Sequence, residues 1–119
     1  MNDASGAASR PEHEPLTREG RLTVAGFQNL IRDKYLATDA ARGVPGTFLW
    51  FIEEIGELAT AFQNNLPEKS PTAEQRANLE EELADVLAWL TTMANITGVD
   101  LEAALRKYTV AGKVEGVKD

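Results

Sequence analysis

Glu53-Glu54-Ile55-Gly56-Glu57 and Glu81-Glu82-Leu83-Ala84-Asp85 are two copies of one pattern: two glutamates, an aliphatic residue, a small residue and an acid. Leu58 follows the first copy and Val86 the second, and both copies lie where apolar residues recur at helical spacing. Acids three apart share one side of a helix. With Ile55 and Leu83 as the centres of the apolar stripes, Glu54 and Glu82 fall about 100° to one side, and Glu57 and Asp85 about 160° away. Two neighbouring helices therefore carry the same constellation at the same angle. If they pack together, four carboxylates converge, and they repel one another unless cations lie among them.

Outward from these runs the chain divides into four expected helices. Thr23 is a fitting N-cap for a helix to about Ala41 with Val24, Phe27, Leu30, Ile31 and Tyr35 on its apolar stripe. Arg42-Gly43-Val44-Pro45-Gly46 is a stop and turn. Thr47 is expected to cap a second helix to about Asn64, buried by Phe48, Phe51, Ile55, Leu58 and Phe62. Thr72 and Gln75 form a capping box for a third helix to about Thr97, with Leu79, Leu83, Val86, Leu87, Leu90 and Ala94 inward and Gly98 as its stop. Asp100 caps a fourth, Leu101 to about Val110. No stretch shows strand alternation. The expectation is an all-α four-helix bundle over residues 21–111, with a disordered leader over 1–20, in which His13 is inert, and a flexible tail over 112–119.

At 119 residues the chain is expected to be one domain near the size at which oligomerisation helps. A net charge of -7 and a pI near 4.7 argue against a nucleic-acid polymer as partner, because such proteins present a basic stripe. An anionic small substrate stays open, since a divalent metal inverts the local sign. With no cysteine, thiolate metal sites and disulfides are excluded. No apolar run reaches the ~18 residues of a membrane span, and the N-terminus lacks the apolar stretch of a signal peptide. A cytoplasmic protein without a membrane partner is the expectation.

Acidic runs on helices are ordinarily solvated faces. Two features set these apart: the pattern recurs at the same angle, and no basic residue occurs from Pro45 through Pro67 to pair with Glu53, Glu54 or Glu57. Only Arg76 accompanies the second run on its own helix. Hard carboxylate oxygens suit Mg²⁺, Mn²⁺ and Ca²⁺. A di-iron bundle would need Glu-x-x-His pairs and an EF-hand a glycine-bearing loop; the helices offer neither. The residues suggest a Mg²⁺ site that handles phosphates. Trp50, one turn before Glu54, is either a base-stacking surface or a helix-contact residue; Trp89, one turn after Asp85, has the same two readings and leans to the helix contact. Asn78, one turn before Glu82, is placed to hydrogen-bond a metal-bound water or a base edge.

Glu53-Glu54-x-x-Glu57 followed by Glu82-x-x-Asp85 resembles the E-E-x-x-E…E-x-x-D signature of MazG-type nucleotide pyrophosphohydrolases. These belong to the all-α NTP pyrophosphohydrolase group, with dimeric dUTPases and phosphoribosyl-ATP pyrophosphohydrolase. Phe27-Gln28, Arg42-Gly43, Phe48-Leu49-Trp50-Phe51 and Ala84-Asp85-Val86-Leu87-Ala88-Trp89-Leu90 extend the likeness over about Thr23 to Tyr108. The resemblance implies hydrolysis of a nucleoside triphosphate between the α and β phosphates, giving monophosphate and pyrophosphate, for example in nucleotide-pool clearance. It implies Glu54, Glu57, Glu82 and Asp85 as ligands of Mg²⁺, with Mn²⁺ able to substitute. Glu53 would orient or deprotonate the attacking water, and Lys107 matches a basic position near the phosphates. The chain departs from many relatives in reading Tyr108-Thr109-Val110-Ala111-Gly112-Lys113 after that lysine, where they carry an Asn and further basic residues. A homodimer or dimer of dimers is expected. The alternatives are dUTP/dCTP-selective or phosphoribosyl-ATP hydrolysis on the same fold, or a non-catalytic helical oligomerisation module.

Overall fold

The computed structural model describes residues 15–110. The expected leader up to residue 14, with His13, and the tail from residue 111 lie outside the described residues. The fold is all-α apart from a short N-terminal hairpin. Helix α1 spans Val24–Asn64, α2 Ala73–Thr97, α3 Leu101–Ala104 and α4 Arg106–Thr109. No helix among the described residues is long and apolar enough to cross a membrane.

The two helices expected before Pro67 are the two arms of α1, residues 24–42 and 44–64, which meet at a break. Gly43 adopts φ 78° and ψ 175°, a conformation that only glycine reaches without strain. Pro45 follows in the first turn of the second arm, where its missing N–H leaves no helical bond unmade. Thr23 caps α1 by accepting from the Gly26 amide at 2.9 Å. Thr47 is not the N-cap expected of it. It is fully buried inside the second arm, and its hydroxyl accepts from Arg42 Nε at 3.0 Å. The arginine reaches forward across the break and claims the oxygen that a cap would have used.

The second arm turns back into α2 through a 3₁₀ turn at Pro67–Lys69. Asn65 donates to the carbonyls of Ala61 and Gln75, at 2.8 and 3.0 Å, which fixes the end of one helix against the start of the next. The Thr72–Gln75 capping box is present in both directions, and α2 stops at Gly98 in the left-handed conformation. Asp100 caps α3 as expected, but the helix expected to Val110 is divided at Leu105 into α3 and α4.

Strands β1, Thr17–Arg18, and β2, Arg21–Leu22, form an antiparallel hairpin where no strand was expected. Glu19 and Gly20 both take positive φ, as a tight two-residue turn requires, and two-residue strands are too short to show alternation. The hairpin lies against the first turn of α1, where a Cβ on Gly26 would collide with Pro15 and Leu16. Opposite, buried Gln28 donates to the Val99 carbonyl at 2.7 Å and accepts from the Leu101 amide at 3.0 Å, tying the first arm to the turn between α2 and α3.

Among the described residues the apolar core is small: Ala25, Ile31, Ala61, Leu79 and Ala94 are its buried members. Several residues expected inward are not buried. Phe48, Ile55 and Phe62 on the second arm and Leu83, Leu87 and Leu90 on α2 are between 38% and 50% exposed. Helical periodicity placed them correctly on common stripes, but within one chain much of each stripe faces solvent.

Candidate metal and nucleotide site

The second arm of α1 and α2 run antiparallel, joined at one end by Asn65 and the Gln75 carbonyl. Near the other end the Trp50 and Trp89 rings lie nearly parallel, 12° apart, with centroids separated by 6.4 Å. Between these fixed points Glu54, Glu82 and Asp85 converge, each offering a carboxylate oxygen within 4.8 Å of the others. Glu82 is buried, Glu54 half-buried and Asp85 exposed, so the cluster opens to solvent on one side. Glu54 Oε2 is buried and has no hydrogen-bond donor.

Electrostatics mark the same place. Burial raises the Glu54 carboxyl above its ordinary 4.5, and Glu57, Asp85, Glu82 and Glu53 push it the same way. Glu82 is raised first by burial, then by Glu57, Asp85 and Glu81, and by a hydrogen bond with Asp85. No lysine or arginine forms an ion pair with any of these acids among the described residues. The donor set fits a hard divalent cation. All three donors are carboxylate oxygens, the hard ligands that such ions take, and they lie near enough to one another to share one ion.

Of the four expected metal ligands, the structure gathers Glu54, Glu82 and Asp85 into one group. Glu57, one turn past Glu54, is exposed and outside that group, yet close enough to raise both glutamates. Glu53 is exposed and lines an open hollow with Arg42, Gly46, Leu49 and Trp50. Asn78 is exposed one turn before Glu82. Lys107 is exposed on α4, its ammonium 5.8 Å from the Tyr108 ring centre, and is not brought to the acids by any described ion pair.

Sequence reasoning gave no role to Asp39. The Arg42 guanidinium donates to Asp39 Oδ1 at 2.6 Å and to Thr47 at 3.0 Å, and lies 5.2 Å from the centre of the Trp89 ring. Beside this group is a cavity of about 290 Å³ lined by residues that include Ile31, Tyr35, Asp39, Arg42, Trp89 and Thr92. The i, i+3 spacing of Asp39 and Arg42 was the available signal, but such pairs are common on solvated helices. Trp89 borders this cavity and stands one helical turn from Asp85.

Both raised carboxyls hold their protons more tightly in the folded chain than in the unfolded one. Their contribution favours the fold at low pH and is lost as pH rises through the raised values. Without divalent metal, Glu82→Gln is therefore expected to melt above the wild type near pH ~7.5, with the difference shrinking towards pH ~4. Thermal denaturation across that range checks it; a variant that melts lower at every pH would contradict the repulsion.

The description MazG nucleotide pyrophosphohydrolase domain belongs to a family profile that matches residues 45–114, from the first turn of the second arm through both acidic runs. No curated protein and no solved structure matches the chain at a significant level. The family match covers more than half of the chain and contains every acid of the site. The chain belongs to the MazG nucleotide pyrophosphohydrolase domain family.

Proposed function

We propose that this protein hydrolyses nucleoside triphosphates between the α and β phosphates, in the cytoplasm, with Mg²⁺ as its cofactor and Mn²⁺ able to replace it. The observation that carries this reading is the convergence of Glu54, Glu82 and Asp85 beside an indole pair and a cavity large enough for a base. A divalent cation held there would offset the acid–polyphosphate repulsion, stabilise charge on phosphoryl oxygens and lower the pKa of a bound water.

The chain's own groups then divide the work. Glu54, Glu82 and Asp85 would hold the cation, with Glu57 one turn away adding negative charge beside them. Glu53 orients the attacking water and accepts its proton. The new bond forms between that oxygen and the α phosphorus, and the bridging P–O bond breaks to release pyrophosphate. Trp50 and Trp89 give flat apolar surfaces to the base. Asn78 would hydrogen-bond a water at the site or the base edge, and Lys107 would neutralise phosphate charge.

The active form in this reading is a homodimer or dimer of dimers. A second copy covers the open stripe of Phe48, Ile52, Ile55, Leu83 and Leu90, which otherwise leaves this small chain with little apolar burial. Ile52→Glu is expected to yield monomers in analytical sedimentation; an unchanged mass would show that the stripe is not the contact.

Pyrophosphate release from a panel of (d)NTPs tests the activity. Mg²⁺ or Mn²⁺ should support release, EDTA should abolish it, and Glu82→Gln should lower it by about 100-fold or more with helicity retained. Turnover that survives EDTA would contradict the reading, as would nucleotide binding without any product.

A further inference from the structure

The cavity beside the acids is lined by Asp39, whose carboxylate has an oxygen without a partner among the described residues. Asp39 is only 5% exposed, and it lines the cavity together with Arg42 and Trp89. Its Oδ1 takes the Arg42 guanidinium at 2.6 Å, whereas its Oδ2 is buried without any donor. A buried carboxylate with an unmet oxygen costs stability, because an ionised carboxylate can only accept and each lost partner leaves its desolvation uncompensated. Arg42 is already engaged on both sides, by Asp39 and by Thr47 Oγ1. No donor among the described residues reaches Oδ2, and a ligand in the cavity can supply one.

The surroundings narrow what that donor is. A volume of about 290 Å³ is at the small end of ligand pockets, enough for a base and not for a whole nucleoside triphosphate. Trp89 supplies an aromatic wall, which suits the face of a heteroaromatic ring. Among the pyrimidines, cytosine offers a 4-amino donor where uracil and thymine offer a 4-oxo acceptor. An acceptor turned towards Asp39 would meet a carboxylate and be repelled.

We propose that Asp39 is a specificity-determining residue that selects nucleotides whose base carries an exocyclic amino group, with cytosine favoured over uracil. This rests on the nucleotide-hydrolysing reading given above and goes beyond it by naming the edge of the base that is read. Arg42 acts as a positioning residue: it clamps Oδ1 and leaves Oδ2 for the base. Thr47, one turn past the break, holds the guanidinium from the other side.

The test is equilibrium binding of CMP and UMP to the full chain in the presence of Mg²⁺, followed by tryptophan fluorescence. CMP should bind about ten- to hundred-fold more tightly than UMP, the range expected for one hydrogen bond to a charged acceptor. The monophosphate of pyrimidin-2-one ribonucleoside, with hydrogen at the 4 position, should fall between them. In Asp39→Asn an amide keeps an acceptor for Arg42 and presents N–H groups in place of Oδ2, so the CMP preference should vanish or invert. Equal affinities for CMP and UMP in the wild type, including no binding of either, overturn the proposal. So does a preference unchanged in folded Asp39→Asn. Because the wild-type series decides by itself, a variant that fails to fold does not shield the idea. Pyrophosphate release from CTP and UTP is scored separately. Release without base preference leaves the activity standing and sinks the role of Asp39; preference without release does the reverse.

Discussion

Mutual repulsion among Glu54, Glu82 and Asp85 in the seam between the second arm of α1 and α2 is the constraint on which the rest of the structure depends. A seam between two antiparallel helices is ordinarily filled by apolar side chains. Here its centre is given to carboxylates, two of them held above their ordinary pKa by burial and by neighbouring acids. The helices stay together because the seam is closed at both ends. Asn65 bridges two backbone carbonyls at one end, and Trp50 and Trp89 lie ring by ring at the other. The closure keeps the acids near one another and supplies the preorganised, partly dehydrated oxygen set that a small divalent cation needs.

The break at Gly43 connects this seam to the cavity lined by Asp39, Arg42 and Trp89. A continuous helix would carry Arg42 away along its own axis. The positive φ of Gly43 instead lets the guanidinium reach Thr47 in the next arm while it keeps Asp39 in the previous one. One side chain thus spans the break, packs beside Trp89 and walls the cavity. A backbone exception that only glycine tolerates sets where that cavity lies relative to the acids.

Much of this was legible in the sequence. Thr23, the Thr72–Gln75 box, Gly98 and Asp100 act through bonds between near neighbours, so their residue types suffice to place the helix ends. The acidic triad was legible because 3.6-residue periodicity carries two spaced acids to the same angle on successive helices. Other features depend on partners distant in sequence or in another molecule. Thr47 looks like a cap until Arg42 takes its oxygen. The stripe of Phe48, Ile55, Leu83 and Leu90 reads the same whether its cover is the chain itself or a second copy. Asp39 gains significance only when a cavity forms against it, and a hairpin of two-residue strands has no period to detect.

Family membership and geometry meet at one claim, that the seam binds a divalent cation through Glu54, Glu82 and Asp85. Titration of Mn²⁺ into the metal-free chain, followed by its electron paramagnetic resonance signal, addresses this claim without depending on substrate or turnover. The account predicts saturable binding by the wild type and severe loss of it in Glu82→Gln, with the fold retained. Equal Mn²⁺ binding by the two proteins would contradict it and would place the metal, and with it the chemistry, elsewhere.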